Sequence, residues 1–393
     1  MMDNVENKAL RRVLLVYREL IPSIRLCGHC QLESLAKRGI IEYRAVQEMA
    51  LSVADMNWAE IAVLGRLDSW YELQIAKRLH RSGRYVIYIL DDDLLNISPD
   101  VSSAAFYAQP EVRENILGMI GLSDALLTPS PLLAEKYARD GRVALMTEEP
   151  ALDPVPYAPH DPSEPVKIGF AGSIDRKGDL ENLLREALLR VRDRYGDKVR
   201  FEFFGAKPDF IPALNARHIP YCDSYDVYRR TLDERAWDIG LAPLAASEFN
   251  ACKHYNKFCE YAAAGIAGIY SDCPPYTRIP DRARCGRFCS NTPGDWYDAI
   301  CALIEDRQAR EACRERCCAC AEALLNVDSI ADRLWRDLEP LTGNLQLRQI
   351  PGNSLKILKL HNLRLRAADI LSRYGWRTPF VAVRKVLGKV FRR

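Results

Sequence analysis

Short apolar runs alternate with amphipathic stretches along most of this chain. The runs Arg12–Tyr17, the segment around Val46, Ile61–Leu64, Tyr85–Leu90 and Ala125–Thr128 are short and mostly rich in β-branched residues, and predict strands. Between them, helical periodicity predicts helices from Pro22 through Lys37 with Gly39 as the stop, over Ser69–Ser82 and around Val112–Met119. A fourth, Pro131–Arg139, has proline in its first turn. The pattern lapses at Glu149–Pro165, which holds six prolines in seventeen residues and reads as a linker. It then restarts. Strands are predicted at Val166–Ala171, Val199–Phe203, Ile239–Ala242 and Ile266–Tyr270, the second running out at Gly205. Helices are predicted at Leu180–Tyr195, Tyr225–Leu232, from Tyr255 to a stop at Gly265, and over Asp295–Ile304, Arg307–Leu325 and Ser329–Leu338.

Strand–helix alternation of this kind winds helices over both faces of a parallel sheet. The fold class is therefore α/β, with two Rossmann-like doubly wound parallel-sheet domains. They are expected at residues 1–150 and 166–340, joined by the linker 151–165 and followed by a tail at 341–393. Ligands of such sheets lie beyond the carboxyl ends of the strands, so a cleft between the two domains is the expected site.

Composition changes this picture little: 48% apolar and 27% charged residues describe an ordinary globular protein. No apolar run approaches twenty residues and Met1–Arg12 is polar, so a cytoplasmic protein is expected. Charge distribution adds more. Eleven Lys/Arg against Asp369 give 351–393 a charge of +10, leaving −8 on the rest of a chain whose net charge is +2. In that tail Leu355, Leu358, Leu363 and Leu365 are interleaved with bases, and Val381–Arg393 separates apolar from basic positions. It reads as a basic amphipathic segment that lies on an anionic membrane surface or packs on the first domain. Nucleic acid is a weaker reading because no aromatic platform accompanies the bases. Thirteen cysteines, several at helical spacing between Cys301 and Cys320, read as small buried residues of a reducing compartment rather than a disulfide framework.

Candidate chemistry concentrates in the second half. In Asn250–Asp272, Lys253 and Lys257 flank a helix start and Glu260 follows in its first turns. Unpaired N–H groups, the helix dipole and two ammonium groups suit an anionic ligand, although an ordinary solvated helix start explains the same residues. Gly172-Ser173-Ile-Asp-Arg-Lys177-Gly178 reads as a glycine turn with cations, following the first strand of the second domain.

Together these segments resemble the retaining glycosyltransferases of the GT-B fold, in the group-1 (GT4-like) family. Phe170 to Gly178 is similar to that family's strand, glycine turn and Lys-Gly pair. Lys257-Phe-Cys-Glu260-Tyr-Ala-Ala-Ala-Gly265 with Ile269-Tyr-Ser271 is similar to its donor-binding helix and strand. The resemblance covers about Val166 to Leu338. It implies a nucleotide-diphosphate sugar bound by Gly172, Ser173, Lys177, Asn250, Lys253, Tyr255, Asn256, Lys257 and Glu260. Within that set Glu260 would hold the ribose and Lys177 would neutralise the diphosphate. It further implies transfer with retention to a glycan or lipid-linked acceptor, as in surface polysaccharide or glycoconjugate biosynthesis, with no metal and no other cofactor. Two positions depart from the family pattern: Cys252 stands eight residues before Glu260 where many members have a first glutamate, and Ser173 replaces an arginine. The first departure supports an alternative, a non-catalytic sugar-nucleotide or glycan-binding subunit of the same fold.

In the first domain, Asp91-Asp92-Asp93 closes a strand. Asp92 and Asp93 are candidate catalytic residues, and Asp91 a candidate acceptor contact. Metal binding and simple turn capping are the other readings of this triplet. Strand geometry predicts that Asp91 and Asp93 point together, away from Asp92. Arg25 and Gly28 are candidate acceptor contacts in the first strand-to-helix connection. Cys27-Gly-His-Cys30 beside them has the spacing of a redox dithiol, without a second pair to complete a zinc site.

Overall fold

The computed structural model describes residues 10–139, 141–353, 355–360 and 362. Most of the basic stretch, 363–393, lies outside the described residues, including Leu363, Leu365 and Val381–Arg393.

Two six-stranded sheets, each entirely parallel, carry the fold. The first is built from β1 (Arg11–Tyr17), β2 (Ile41–Gln47), β3 (Ile61–Gly65), β4 (Tyr85–Ile89), β5 (Ala125–Thr128) and β6 (Val143–Met146), in the order β2-β1-β3-β4-β5-β6. The second contains β7 (Val166–Gly172), β8 (Val199–Gly205), β9 (Arg217–Ile219), β10 (Ile239–Ala242), β11 (Ala267–Ser271) and β12 (Arg287–Cys289), in the order β12-β11-β10-β7-β8-β9. Read from β9, the second order is 3-2-1-4-5-6, that of a Rossmann domain with its switch point between β7 and β10. The expected pair of doubly wound domains is present.

Burial explains the strands that the apolar pattern predicts. β3, β5, β10 and β11 are buried at every position, as central strands covered on both faces must be. The helix Trp70–Arg81 starts at Ser69 in a capping box: Ser69 Oγ accepts from Glu72 N, and Glu72 reaches back to the Ser69 amide. Elements absent from the sequence prediction are short or peripheral: the helices Val53–Trp58, Ala104–Tyr107 and Ile211–Leu214, β6, β9, the turn of helix Glu248–Ala251, and β12. Gly172–Gly178 is not a turn throughout. After Ser173 the chain enters helical geometry at Ile174–Arg176 and Lys177–Asp179, continuous with Leu180–Leu184 and Arg185–Tyr195.

Connections between the domains position the cleft. Residues 150–165 lie along the second domain: Val155 N donates to Ala263 O at 2.8 Å, and His160 Nδ1 is 2.8 Å from Asp238 Oδ1. The helix Val327–Leu338, expected from its sequence position with the second domain, crosses back to the first. Ala331, Leu334, Trp335 and Leu338 pack with the first sheet's apolar residues, and Ser34 Oγ donates to Asp328 Oδ1 at 2.6 Å. The chain continues on the first domain, where Arg348 N bonds Ser82 O and Ile350 N bonds Asn57 Oδ1. Leu355 and Leu358, read from sequence as one side of an amphipathic tail, are buried in the first domain's core. Among the described residues no helix is long and apolar enough to cross a membrane.

Candidate functional site

Two adjoining cavities open where the carboxyl ends of the strands face each other across the domains, and Ser173 lines both. The first, about 170 Å³, has Gly172 and Gly205 at the ends of β7 and β8, with Tyr225, Tyr228, Lys257 and Glu260 around it. Gly205 sits at φ +90°, and a Cβ there would fall 2.0 Å from the Gly172 carbonyl oxygen. Only glycine allows the two strand ends to approach in this way. Pro22 of the first domain completes the wall.

Glu260 is buried on the helix Asn256–Ala263 and well furnished with donors. Tyr228 donates its hydroxyl hydrogen to Glu260 Oε2 at 2.6 Å, and the Lys257 ammonium meets the same oxygen. Arg229, buried beneath, donates to the Glu260 carbonyl at 3.0 Å and pairs with Asp233 at 2.8 Å. Burial pushes the Tyr228 phenol well above its ordinary value, with the Glu260 charge adding to the shift, so Tyr228 stays a donor. One carboxylate, one phenol and one ammonium thus converge on a small cavity.

The second cavity, about 190 Å³, joins Arg66 and Asp92 of the first domain to Arg176, Asn250 and Lys253 of the second. Lys253 Nζ lies 2.9 Å from Asp92 Oδ1 and over the Phe249 ring at 4.1 Å. Arg66, held at φ +49° immediately after β3, reaches Asp91 at 3.1 Å and Asp92 at 3.7 Å. A left-handed arginine costs on the order of 1 kcal/mol or more and is compensated here by that pairing. Burial pushes the Asp92 carboxyl up, but Lys253 and then Arg66 outweigh it and hold it below the usual carboxylate range. Ser102 of the first domain closes the rim, its amide and hydroxyl bonding Asp175 at 3.3 and 3.2 Å.

The predicted residues do not all converge. Gly172, Ser173, Asn250, Lys253, Lys257, Glu260 and Asp92 do. Lys177 does not: its ammonium pairs with Asp209 at 2.6 Å near the surface, and the neighbouring Arg176 lines the cavity instead. Tyr255 precedes the Asn256–Ala263 helix without a side-chain cap and lines a different cavity, while Asn256 Oδ1 is buried without a partner among the described residues. Asp91 is buried against Arg66. Asp93 is fully buried, paired with Lys136 at 2.6 Å and accepting from Tyr137 at 2.5 Å, so it is an internal anchor of the first domain. The predicted alternation fails because β4 ends at Ile89, before the triplet. Asp91 and Asp92 share Arg66, and Asp93 turns away. Gly28 packs against the sheet, where a Cβ would meet Ile89 Cδ1 at 2.9 Å, rather than lining the cleft. Arg25 crosses the cleft to pair with Asp226 at 2.7 Å and lies over Tyr225 at 5.6 Å. Cys252 is buried with first-domain apolar residues.

The Cys27–Cys30 pair does not have the electrostatics of a reactive dithiol. Burial pushes both thiols up, and Cys27 donates to Glu149 Oε1 at 3.5 Å. All thirteen cysteines are free. Arg66, Tyr228 and Glu149 are not marked by the sequence pattern, whereas Arg176 belongs to the predicted cationic turn and takes the place expected of Lys177. A cation directly after a central strand was the available signal for Arg66. Glu149, in the proline-rich segment, offered none. Its carboxyl is pushed up to about 8 by burial and then by Asp91, and Oε2 has no partner among the described residues. Among the described residues no cluster of three or more His, Cys, Asp or Glu side chains is placed to hold a metal ion.

No protein-family model matches the chain, and no curated protein matches it in sequence. Its architecture is that of solved GT-B proteins. HepE of Anabaena, solved with UDP and glucose, superposes with a TM-score of 0.58 at 12% identity, covering 84% of this chain and 99% of that one. A sucrose-phosphate synthase from Thermosynechococcus elongatus gives 0.58 at 10% identity, with the same coverages. A UDP-N-acetylglucosamine 2-epimerase assignment from Listeria monocytogenes gives 0.53 at 11%, covering 87% and 100%. These likenesses establish the GT-B fold, which houses more than one chemistry.

Proposed function

We propose that this chain is a glycosyltransferase that moves a sugar from a nucleoside-diphosphate donor to a hydroxyl of a glycan or lipid-linked acceptor. The observation that carries the reading is the pair of cavities meeting at Ser173. Glu260, Tyr228 and Lys257 offer a hydrogen-bonding socket of the kind a ribose needs, and Arg66, Arg176 and Lys253 offer cations one step away for a diphosphate. Three solved structures of a similarly folded protein, HepE, hold UDP, UDP with glucose, or UDP-glucose, which supports a uridine donor.

Bond cleavage leaves charge on the departing diphosphate, and cations fixed in advance stabilise that charge. Arriving phosphate oxygens would compete with Asp92 for Lys253, freeing the Asp92 carboxylate toward the acceptor side of the cleft. This makes Asp92 the residue most suited to orient an acceptor hydroxyl. Transfer with retention, a hexosyl donor, a metal-independent reaction, and a role in surface polysaccharide or glycoconjugate assembly at the inner face of a membrane belong to the same proposal. They follow from the resemblance of 166–338 to group-1 transferases. The socket would serve a binding subunit equally, and Cys252 in place of a first glutamate favours that second reading. Release of UDP from UDP-sugars, followed with and without acceptors, tests the choice. Saturable UDP-glucose binding with no hydrolysis or transfer across an acceptor panel would decide for the binding subunit.

A further inference from the structure

Four buried cysteines gather at the end of the second sheet opposite the cleft, between the loop that enters β12 and the helix Arg307–Ala323. Cys285 lies just before β12. Cys313, Cys317 and Cys320 fall at the i, i+4, i+7 spacing of one helix face. Cys285 Sγ stands 3.1 Å from Cys320 Sγ, about 1 Å more than a disulfide bond.

The backbone around this contact is anchored on both sides. Cys317 donates its thiol hydrogen to the Cys285 carbonyl at 3.4 Å, and the Cys285 amide bonds Asp281 O at 3.1 Å. Asp281 in turn pairs with Arg316 of the helix at 2.5 Å. Gly286 is pressed to the sheet, where an added Cβ would meet the Tyr270 ring at 2.7 Å and Gly268 O at 3.0 Å. Burial pushes the Cys27, Cys259 and Cys289 thiols up, as expected of inert core cysteines. Cys285 goes the other way: hydrogen bonds from Cys317 and then Cys320 lower its pKa against the opposing effect of burial. A cavity of about 670 Å³ gives a small oxidant its approach, since Arg284 and Gly286, on either side of Cys285, line it with Cys313, Arg316 and Ala319.

We propose that Cys285 and Cys320 form a reversible disulfide when the protein meets hydrogen peroxide, stapling the entry of β12 to the helix Arg307–Ala323. The Cys285 thiolate breaks the O–O bond and takes one oxygen as a sulfenic acid; the other leaves as hydroxide, which the thiol's own proton converts to water. The Cys320 sulfur then attacks the Cys285 sulfur as the S–O bond breaks, and its proton leaves with the hydroxide as a second water. Two thiols are oxidised and one peroxide is reduced. The cross-link closes residues 285–320 into a loop and confines the unfolded chain, so the oxidised protein is the more stable one. Both sulfurs lie away from the carboxyl ends of the strands, so the modification spares the donor pocket and stands independently of the donor reading.

Brief treatment of the full chain with hydrogen peroxide, alkylation of the remaining thiols in denaturant and peptide mass mapping test this. A peptide pair joined through Cys285 and Cys320, lighter by two hydrogens than the free pair and released by dithiothreitol, is expected. Tm should rise by at least about 5 °C on oxidation and return on reduction, and Cys320→Ser should abolish both effects. The mapping uses the wild-type protein, so it decides the question even if Cys320→Ser does not fold. Alkylation of both residues after peroxide, oxidation of Cys285 to a sulfinic acid without a cross-link, or pairing of Cys285 with Cys313 or Cys317 would each overturn the assignment. A Cys285–Cys320 cross-link that leaves Tm unchanged or lowers it would overturn the staple.

Discussion

Lys253 Nζ and Asp92 Oδ1 stand 2.9 Å apart although they belong to different domains, each about four-fifths buried. The pair joins the loop before the donor-side helix to the loop that follows β4, so it couples cleft geometry to the charge of one carboxyl group.

Because the folded protein holds Asp92 below the usual carboxylate range, the pair contributes stability above the unfolded value of about 3.9. That contribution is lost as pH falls through the folded value. Asp92→Asn should therefore lower stability by about 1–3 kcal/mol at pH 7, between exposed and fully buried pairs. Thermal unfolding of both proteins from pH 7 downward checks this: the gap should narrow below pH 4. A constant gap across the series would show that Asp92 acts otherwise.

The donor pocket makes a sharper distinction among lysines. Lys257 contacts Glu260 inside the cavity, whereas Lys177 pairs with Asp209 outside it. At a UDP concentration 100-fold above Kd, binding protects the fold by about 2.7 kcal/mol. Glu260→Ala and Lys257→Ala should remove most of that protection, measured as a shift in Tm, and Lys177→Ala should leave most of it. Equal losses for the two lysines would return Lys177 to the diphosphate site.

This distinction shows where the sequence stops being informative. A Lys-Gly pair after a glycine strand end marks the segment, but whether Arg176 or Lys177 faces inward depends on where helical geometry begins, at Ile174. The continuous apolar runs of β3 and β5 are legible because both faces of each strand are buried. β9 and β12 have three residues each at sheet edges and leave no period to read. The stripe Ile330, Leu334, Leu338 announces a helix, but which domain it covers is decided by chain reversal after Leu325. Arg66 and Glu149 gain their importance only from partners brought near by folding, across tens of residues of sequence.

Gly205 tests the floor of the donor pocket. At φ +90°, with the Gly172 carbonyl 2.0 Å from any added Cβ, Gly205→Ala must break either the strand end or the turn. A loss of at least about 1–3 kcal/mol is expected from backbone strain alone. Gly178, with nothing near an added Cβ, provides the control: Gly178→Ala should leave Tm and UDP binding close to wild type. Denaturant unfolding of the two variants compares them directly.

Glu149 carries the opposite pH signature to Asp92. Its carboxyl stays protonated in the fold up to about 8 because burial, Asp91 and more distantly Glu260 oppose its charge, whereas the unfolded chain ionises it near 4.3. Between those values folding takes up a proton, so rising pH destabilises the native state, and above both values the cost is constant. Glu149→Gln keeps an acceptor for the Cys27 thiol and has no charge to suppress. Its stability advantage over wild type should grow from pH 5 to pH 8, reaching on the order of 3–5 kcal/mol, since each pH unit between the folded and unfolded values is worth about 1.4 kcal/mol. Tm measured in steps across that range reads the slope. Parallel curves for the two proteins would mean that Glu149 is ionised in the fold, with a counter-charge drawn to Oε2.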